Sequence, residues 1–377
     1  MPIPERYSGK RYQLSSMPRN SMFYGIMDIA NNSLDSIYSI YSLTKPNHPE
    51  VKKPLLVLDD INELNAYATY IDGRPAIIIN SKLLVEAKDY LYTHLKDSTI
   101  EKIIGIDENY TSDHIRKKIL VYCIRFTVLH ELFHIWHGHL DFLSNLGAGT
   151  SLGEKRDESE QGEKLFHQLG NGVYFEAISL NALKQSFEYD ADISATNMLF
   201  NLMCQQYDMN SPEVIDFRKE TLLMFAGILS MFSLFAEKNA DEKVTFATKD
   251  LMKDTHPVPS IRYYYCEDVL AAKLFDRLGF DQTIEFSILL APIVFDLFAD
   301  AKEPQPFQSN LLMTAYTYKA QDHFLTLKKV FAQVYDALLP FVNSNIIDKP
   351  SEEFLRLHHD AVRFDKDGNY LLSQEPT

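Results

Sequence analysis

The sequence predicts an α+β protein that is mostly helical, with one short β-ribbon and a helical C-terminal region. Three observations predict it. Two β-prone runs flank Asp72-Gly73, apolar residues recur at helical spacing from about Asp113, and nearly everything after Pro259 keeps a helical pattern.

In chain order, residues 1–50 are polar with scattered Pro and Ser and give no strong periodic signal, so they read as an N-terminal extension. Pro54–Leu58 reads as a strand. Asn65–Ile71 and Arg74–Asn80 form a hairpin about Asp72-Gly73, because Gly accepts the positive φ of a tight primed turn. Pro75 cannot donate to a ladder and places part of this ribbon at an edge. A helix runs from about Asp113 on the stripe Ile115, Ile119, Val121 or Tyr122, Ile124 or Phe126, Leu129 and Phe133, and Gly138 is its expected end. Seven of the 14 glycines lie between Gly138 and Gly172, beside the charge run Glu154–Glu158, and predict a flexible insertion at about 139–174. Helix resumes near Phe175 and reaches about Cys204, and breaks are expected at Gly279, around Pro304 and Pro306, and at Pro340. The division that follows is an extension (1–50), a central domain (51–265) and a helical C-terminal region (266–377).

Composition excludes several classes. The chain has 377 residues, is 46% hydrophobic and 24% charged, and so belongs with folded proteins and not with disordered ones. With 37 Lys+Arg against 52 Asp+Glu its net charge is −15, which repels phosphate backbones and anionic lipid; no nucleic acid partner is expected. The longest uncharged apolar run, Thr221–Ala236, would span about 24 Å as a helix, short of a bilayer core of roughly 30 Å. It reads as a buried central helix, and no membrane span is expected. Phe286–Phe295 is shorter and is interrupted by Pro292. Cys123, Cys204 and Cys266 are too few and too scattered for a disulfide framework and read as buried free thiols. Met1–Tyr7 lacks the apolar stretch of a secretory signal, so a cytoplasmic location is expected. Trp136, Tyr122 and Tyr263–Tyr265 read as core aromatics, and His167, His323, His358 and His359 as surface residues.

The chemistry lies in His130-Glu131-Leu132-Phe133-His134, an HExxH motif on the predicted helix. Residues four apart differ by about 40° around the helix axis, so both imidazoles project from one face and can ligate one metal ion. Glu131 is rotated by about 100° and suits a general base acting on zinc-bound water. In a chain of this composition the motif is expected by chance only about 0.02 times. A catalytic zinc site needs a third protein ligand. His137 follows His134 too closely on the same helix, and His139 lies on the opposite side if that helix continues. An HExxHxxGxxH arrangement is excluded, because His137 and Leu140 stand where Gly and His are required. Glu188 is preferred, on a second helical segment 54 residues after His134. Asp192, one turn further on, is placed to orient a ligand imidazole.

These residues resemble the HtpX and CAAX-prenyl-protease type of gluzincin metallopeptidases. His130–His134 is followed by Glu188 and Asp192 with Ala191 between them. Asn65-Ala66-Tyr67-Ala68 is similar to that family's Asn-Ala-Phe-Ala ribbon, and Thr255-His256-Pro257 with Arg262 to its late Thr-His-Pro…Arg motif. The likeness covers roughly 65–262, with Val258 where the family has a second Pro. The resemblance implies a zincin-like fold and one zinc per chain held by His130, His134 and Glu188, with Glu131 as base. It also implies an edge strand at Asn65–Ala68 that receives an extended protein or peptide substrate. His256 or Arg262 would sit at the far wall, facing the developing oxyanion or holding the active-site helices together. The expected function is a zinc-dependent endopeptidase. Two others compete with it: a triggered, narrow-specificity peptidase of the phage-exclusion Lit type, and a non-catalytic scaffold of gluzincin shape.

Overall fold

The computed structural model describes residues 10–21, 23–44, 52–104, 111–147, 152–153, 165–169, 173–205, 214–238, 251–252, 256–298 and 318–342. The expected ribbon forms as read. Strands β3 (Ala66–Ile71) and β4 (Arg74–Asn80) pair antiparallel across a turn in which Asp72 and Gly73 have φ of 50° and 72°. The ribbon is part of a larger mixed sheet. Strand β1 (Arg11–Gln13) lies antiparallel to β2 (Leu55–Asp59), β2 parallel to β4, and β5 (Leu152–Gly153) antiparallel to β3, in the order β1-β2-β4-β3-β5.

This order refines two expectations about edges. At Pro75 the ribbon does have an open side, because pairing with β2 begins one residue later, at Leu55 opposite Ala76, and from there on β4 is interior. Strand β3 is not an edge either, since Tyr67 and Ala68 are covered by Gly153 and Leu152. The sequence hid both partners: β2 is joined to β4 through the whole hairpin, and β5 is two residues of a glycine-rich stretch.

Helices supply the rest: α1 (Tyr24–Thr44), α2 (Ser81–His94), α3 (Asp97–Ile103), α4 (Ser112–Trp136), α5 (His139–Asn145), α6 (Leu180–Cys204), α7 (Val214–Lys238), α8 (Pro259–Leu278), α9 (Phe280–Phe298) and α10 (Tyr318–Leu338). The insertion expected at 139–174 thus contains α5 and β5, and β6 (Leu165–Leu169) pairs with β7 (Val173–Ser179) where helix was expected to resume. The β-prone run Val173-Tyr174-Phe175 favours strand, and α6 starts only at the N-cap of Ser179, whose hydroxyl accepts from the Ala182 amide at 3.1 Å. Within residues 1–50, α1 buries Met27, Ala30, Leu34 and Ile37 in the same core as the helices that follow and packs on α4. Pro292 lies inside α9, and the break at Gly279 falls between α8 and α9 as read. The breaks at Pro304 and Pro306, and His358 and His359, lie outside the described residues.

Helix α4 is the axis of the molecule. It packs against α1, α2, α6 and α7 and under β3 and β4. Over α4 and α7 (Ser112–Trp136 and Phe217–Ala236) the chain is long and apolar enough to cross a membrane by length and composition, and each is 89% buried within the structure. Burial by neighbouring helices accounts for their apolarity. All three cysteines are buried and free, and Trp136, Tyr122 and Tyr263–Tyr265 are core residues, as read. His323 is a correction: it is buried on α10.

Candidate metal centre

Two long helices carry the site, and each starts on a side-chain cap. Thr111 accepts from the His114 amide at 3.2 Å to open α4, and Ser179 opens α6. Packed together, they bring His130, His134 and Glu188 to one point. His130 Nε2 and His134 Nε2 lie 3.0 Å apart, His130 Nε2 and Glu188 Oε2 3.2 Å, and His134 Nε2 and Glu188 Oε1 3.3 Å. Ligands about 2.0–2.1 Å from a tetrahedral ion are separated by about 3.3 Å, so these three spacings match the edges of such a site. All three residues are buried, at 4%, 1% and 1% exposure, and Glu131 beside them is 1% exposed.

The surroundings fix how the donors present themselves. Asp192 Oδ1 lies 2.8 Å from His130 Nδ1, a contact that favours a proton on Nδ1 and leaves Nε2, facing Glu188 and His134, as the nitrogen that would release its proton to bind an ion. Arg262 grips Asp192 with two bonds, Nε to Oδ2 at 2.8 Å and Nη2 to Oδ1 at 2.9 Å, and reaches Glu188 Oε2 at 3.3 Å. The Tyr265 hydroxyl donates to Asp192 Oδ2 at 3.1 Å. Burial works against charge here, but the partners prevail at the carboxylates. His256, His134 and His130 hold Glu188 well below the usual carboxylate range, and Arg262 and His130 lower Asp192. Asp192 and Glu188 raise His130 despite its burial, whereas burial lowers His134.

Asp192 therefore stands where the sequence placed it, against a ligand imidazole. Arg262 holds carboxylates of α6 to α8, the second of the two roles the resemblance offered. His256 Nε2 lies 3.5 Å from Glu188 Oε1 and is only partly buried; Thr255 lies outside the described residues. Asn65, Ala66 and Ala68 are buried and Tyr67 is half-buried on β3, which packs against α4.

A second group was not foreseen. His137 at the C-terminal cap of α4, His139 at the start of α5 and Asp190 on α6 come together. The reason is Gly138, whose φ of +74° ends α4 and turns the chain into α5. Successive residues on a helix are about 100° apart, so Phe187 and Asp190 share a face of α6 different from that of Glu188 and Asp192. The α4–α5 corner wraps both faces: His139 stacks on Phe187 with ring centres 4.2 Å apart, and His137 Nδ1 meets Asp190 Oδ2 at 2.5 Å. His139 bridges the groups, with Nδ1 2.9 Å from His134 Nδ1 and Nε2 3.2 Å from Asp190 Oδ2. Burial holds His139 down to about 3, and His137 with His139 lowers Asp190. The two histidines were legible as possible ligands, but Asp190 carried no signal until the turn at Gly138 was known.

The chain matches no family model, and neither a curated protein nor a solved structure matches it. The reading of the site therefore rests on its own geometry.

Proposed function

We propose that the protein is a zinc-dependent endopeptidase. One observation carries this reading: three ligand-type atoms, from His130, His134 and Glu188, at tetrahedral spacing, in a chain whose HExxH motif supplies Glu131. Zinc bound there would polarise a scissile carbonyl and acidify a water. Glu131 takes the proton of the attacking water and later delivers it to the leaving amine. Asp192 keeps His130 in its ligating tautomer, and Arg262 neutralises the carboxylates behind it. Two nitrogens and one carboxylate leave the ion a net positive charge, as a Lewis acid requires.

The test is metal content and turnover together. The wild type is expected to hold about one zinc per chain after mild chelation, and Glu188→Ala to lose it. Glu131→Gln is expected to keep the metal and lose roughly 10²–10⁴-fold in turnover. A wild type that takes up no zinc on reloading overturns the reading; a scaffold would show no change in Glu131→Gln. The depth of the ligands favours one variant, the triggered peptidase, because groups at 1–4% exposure meet a peptide bond only after the structure opens. An assay on casein distinguishes it, since a triggered enzyme leaves casein intact.

A further inference from the structure

The His137–His139–Asp190 group has the residue types of a second metal site, and its distances and its protons argue against one. His137 Nδ1 and Asp190 Oδ2 are 2.5 Å apart, a direct hydrogen bond and well short of the roughly 3.3 Å that separates two ligands of one ion. The protons are more decisive. A neutral imidazole has one N–H and one lone pair. Asp190 Oδ2 sits 3.2 Å from His139 Nε2, too bent for a full hydrogen bond, yet a carboxylate oxygen at that distance is favourable only beside an N–H. His139 then offers its Nδ1 lone pair to His134 Nδ1 at 2.9 Å. His134 must carry its proton on Nδ1, which leaves the Nε2 lone pair directed at His130 and Glu188.

We propose that Asp190 and His139 are positioning residues that set the tautomer of His134 and so make it a metal ligand. The chain is Asp190, His139, His134, metal. It rests on the metal-centre reading above, and it adds a consequence that reading does not contain. A second ion on His139 Nε2 would force the proton to Nδ1, facing the Nδ1 proton of His134. Both groups cannot hold an ion at once, so the protein binds one metal where a count of donor clusters suggests two. His130 and His134 thus have separate supports: Asp192 acts directly on one, and Asp190 acts through a second imidazole on the other.

The experiment uses the full chain, stripped of metal and titrated with zinc against a chelator. His139→Phe keeps a flat ring on Phe187 and removes the acceptor; it is expected to bind zinc about 10–100-fold more weakly. His139→Asn places an amide oxygen near the lost Nδ1 and is expected to recover most of that affinity. Independently of any variant, long-range nitrogen–proton spectra of the ¹⁵N-histidine-labelled, zinc-loaded wild type should show His134 protonated at Nδ1. Wild-type affinity in His139→Phe, or Asn as weak as Phe, overturns the proposal while leaving the metal centre intact. So does a second zinc of similar affinity that disappears in His137→Ala. A wild type that binds no zinc removes the metal-centre reading and the proposal with it.

Discussion

The two histidine–carboxylate groups, one between α4 and α6 and the other between the α4–α5 corner and α6, use the same residue types at almost the same depth and differ in what lies between their atoms. In one, three ligand-type atoms stand 3.0–3.3 Å apart around a common point. In the other, a carboxylate has closed to 2.5 Å on an imidazole N–H. The first has the spacing to hold a cation at its centre, and in the second the carboxylate is already engaged by an imidazole N–H. Composition of a cluster is therefore a poor guide to metal binding; spacing and the bookkeeping of ring protons decide it.

The strongest way to break this contrast is to exchange the losses. Glu188→Ala should remove zinc nearly completely, whereas His137→Ala should leave zinc at about one per chain, counted by mass spectrometry. The cost of the latter should appear in stability, at about 1–3 kcal/mol in urea unfolding, because Asp190 loses an N–H partner while staying buried. After the loss of metal in Glu188→Ala, the largest effect on stability is expected for Arg262→Met. It leaves Asp192 and Glu188 without their buried guanidinium, and the metal-free protein should lose about 3–5 kcal/mol by urea unfolding. Arg262→Lys should recover only part, since an ammonium cannot make both bonds to Asp192.

Gly138→Ala tests the corner that creates the second group. A Cβ there would lie 2.2 Å from the Phe341 carbonyl oxygen, on a backbone with φ of +74°. A loss of about 2 kcal/mol or more is expected, read as a lower Tm, together with weaker zinc binding as His139 is displaced from His134. The smallest effect sharpens the comparison by removing imidazoles from it. Glu267 on α8 is a carboxylate that burial pushes up to about 7 even though Tyr263 hydrogen-bonds to it, the reverse of Glu188 and Asp190. Its folded value lies above the unfolded one, so stability falls as pH rises from about 4.5 to 7 and stays lower beyond. Glu267→Gln should gain about 1 kcal/mol at pH 8 and nothing near pH 4, measured as unfolding free energy at both values.

The parts of this molecule that were legible were those whose cause is local. The hairpin follows from the positive φ tolerated at Asp72 and Gly73, and the ligand pair from the i, i+4 spacing of His130 and His134. Helix α1 was missed because Asn31, Asn32, Ser33 and Ser36 are weak helix formers. There the Ser33 and Ser36 hydroxyls bond back to the carbonyls of Ile29 and Asn32, and the stability comes from Met27, Ala30, Leu34 and Ile37 packing on the core. Asp190 was missed for a different reason. Its partners are three-dimensional neighbours only because Gly138 turns the chain, and helical periodicity alone places His139 on the wrong side.

Strand β5 gives the sheet an occupied rim. Any extended chain arriving along Tyr67 and Ala68 must displace Leu152 and Gly153, which belong to the same molecule. A neighbour tethered by a short segment acts at an effective concentration in the millimolar range, so a free peptide at micromolar concentration competes from roughly a thousandfold disadvantage. Occupancy of that rim is thus a contest between an intramolecular and an intermolecular strand, and its outcome is governed by the length and stiffness of the tether as much as by the sequence of the incoming chain.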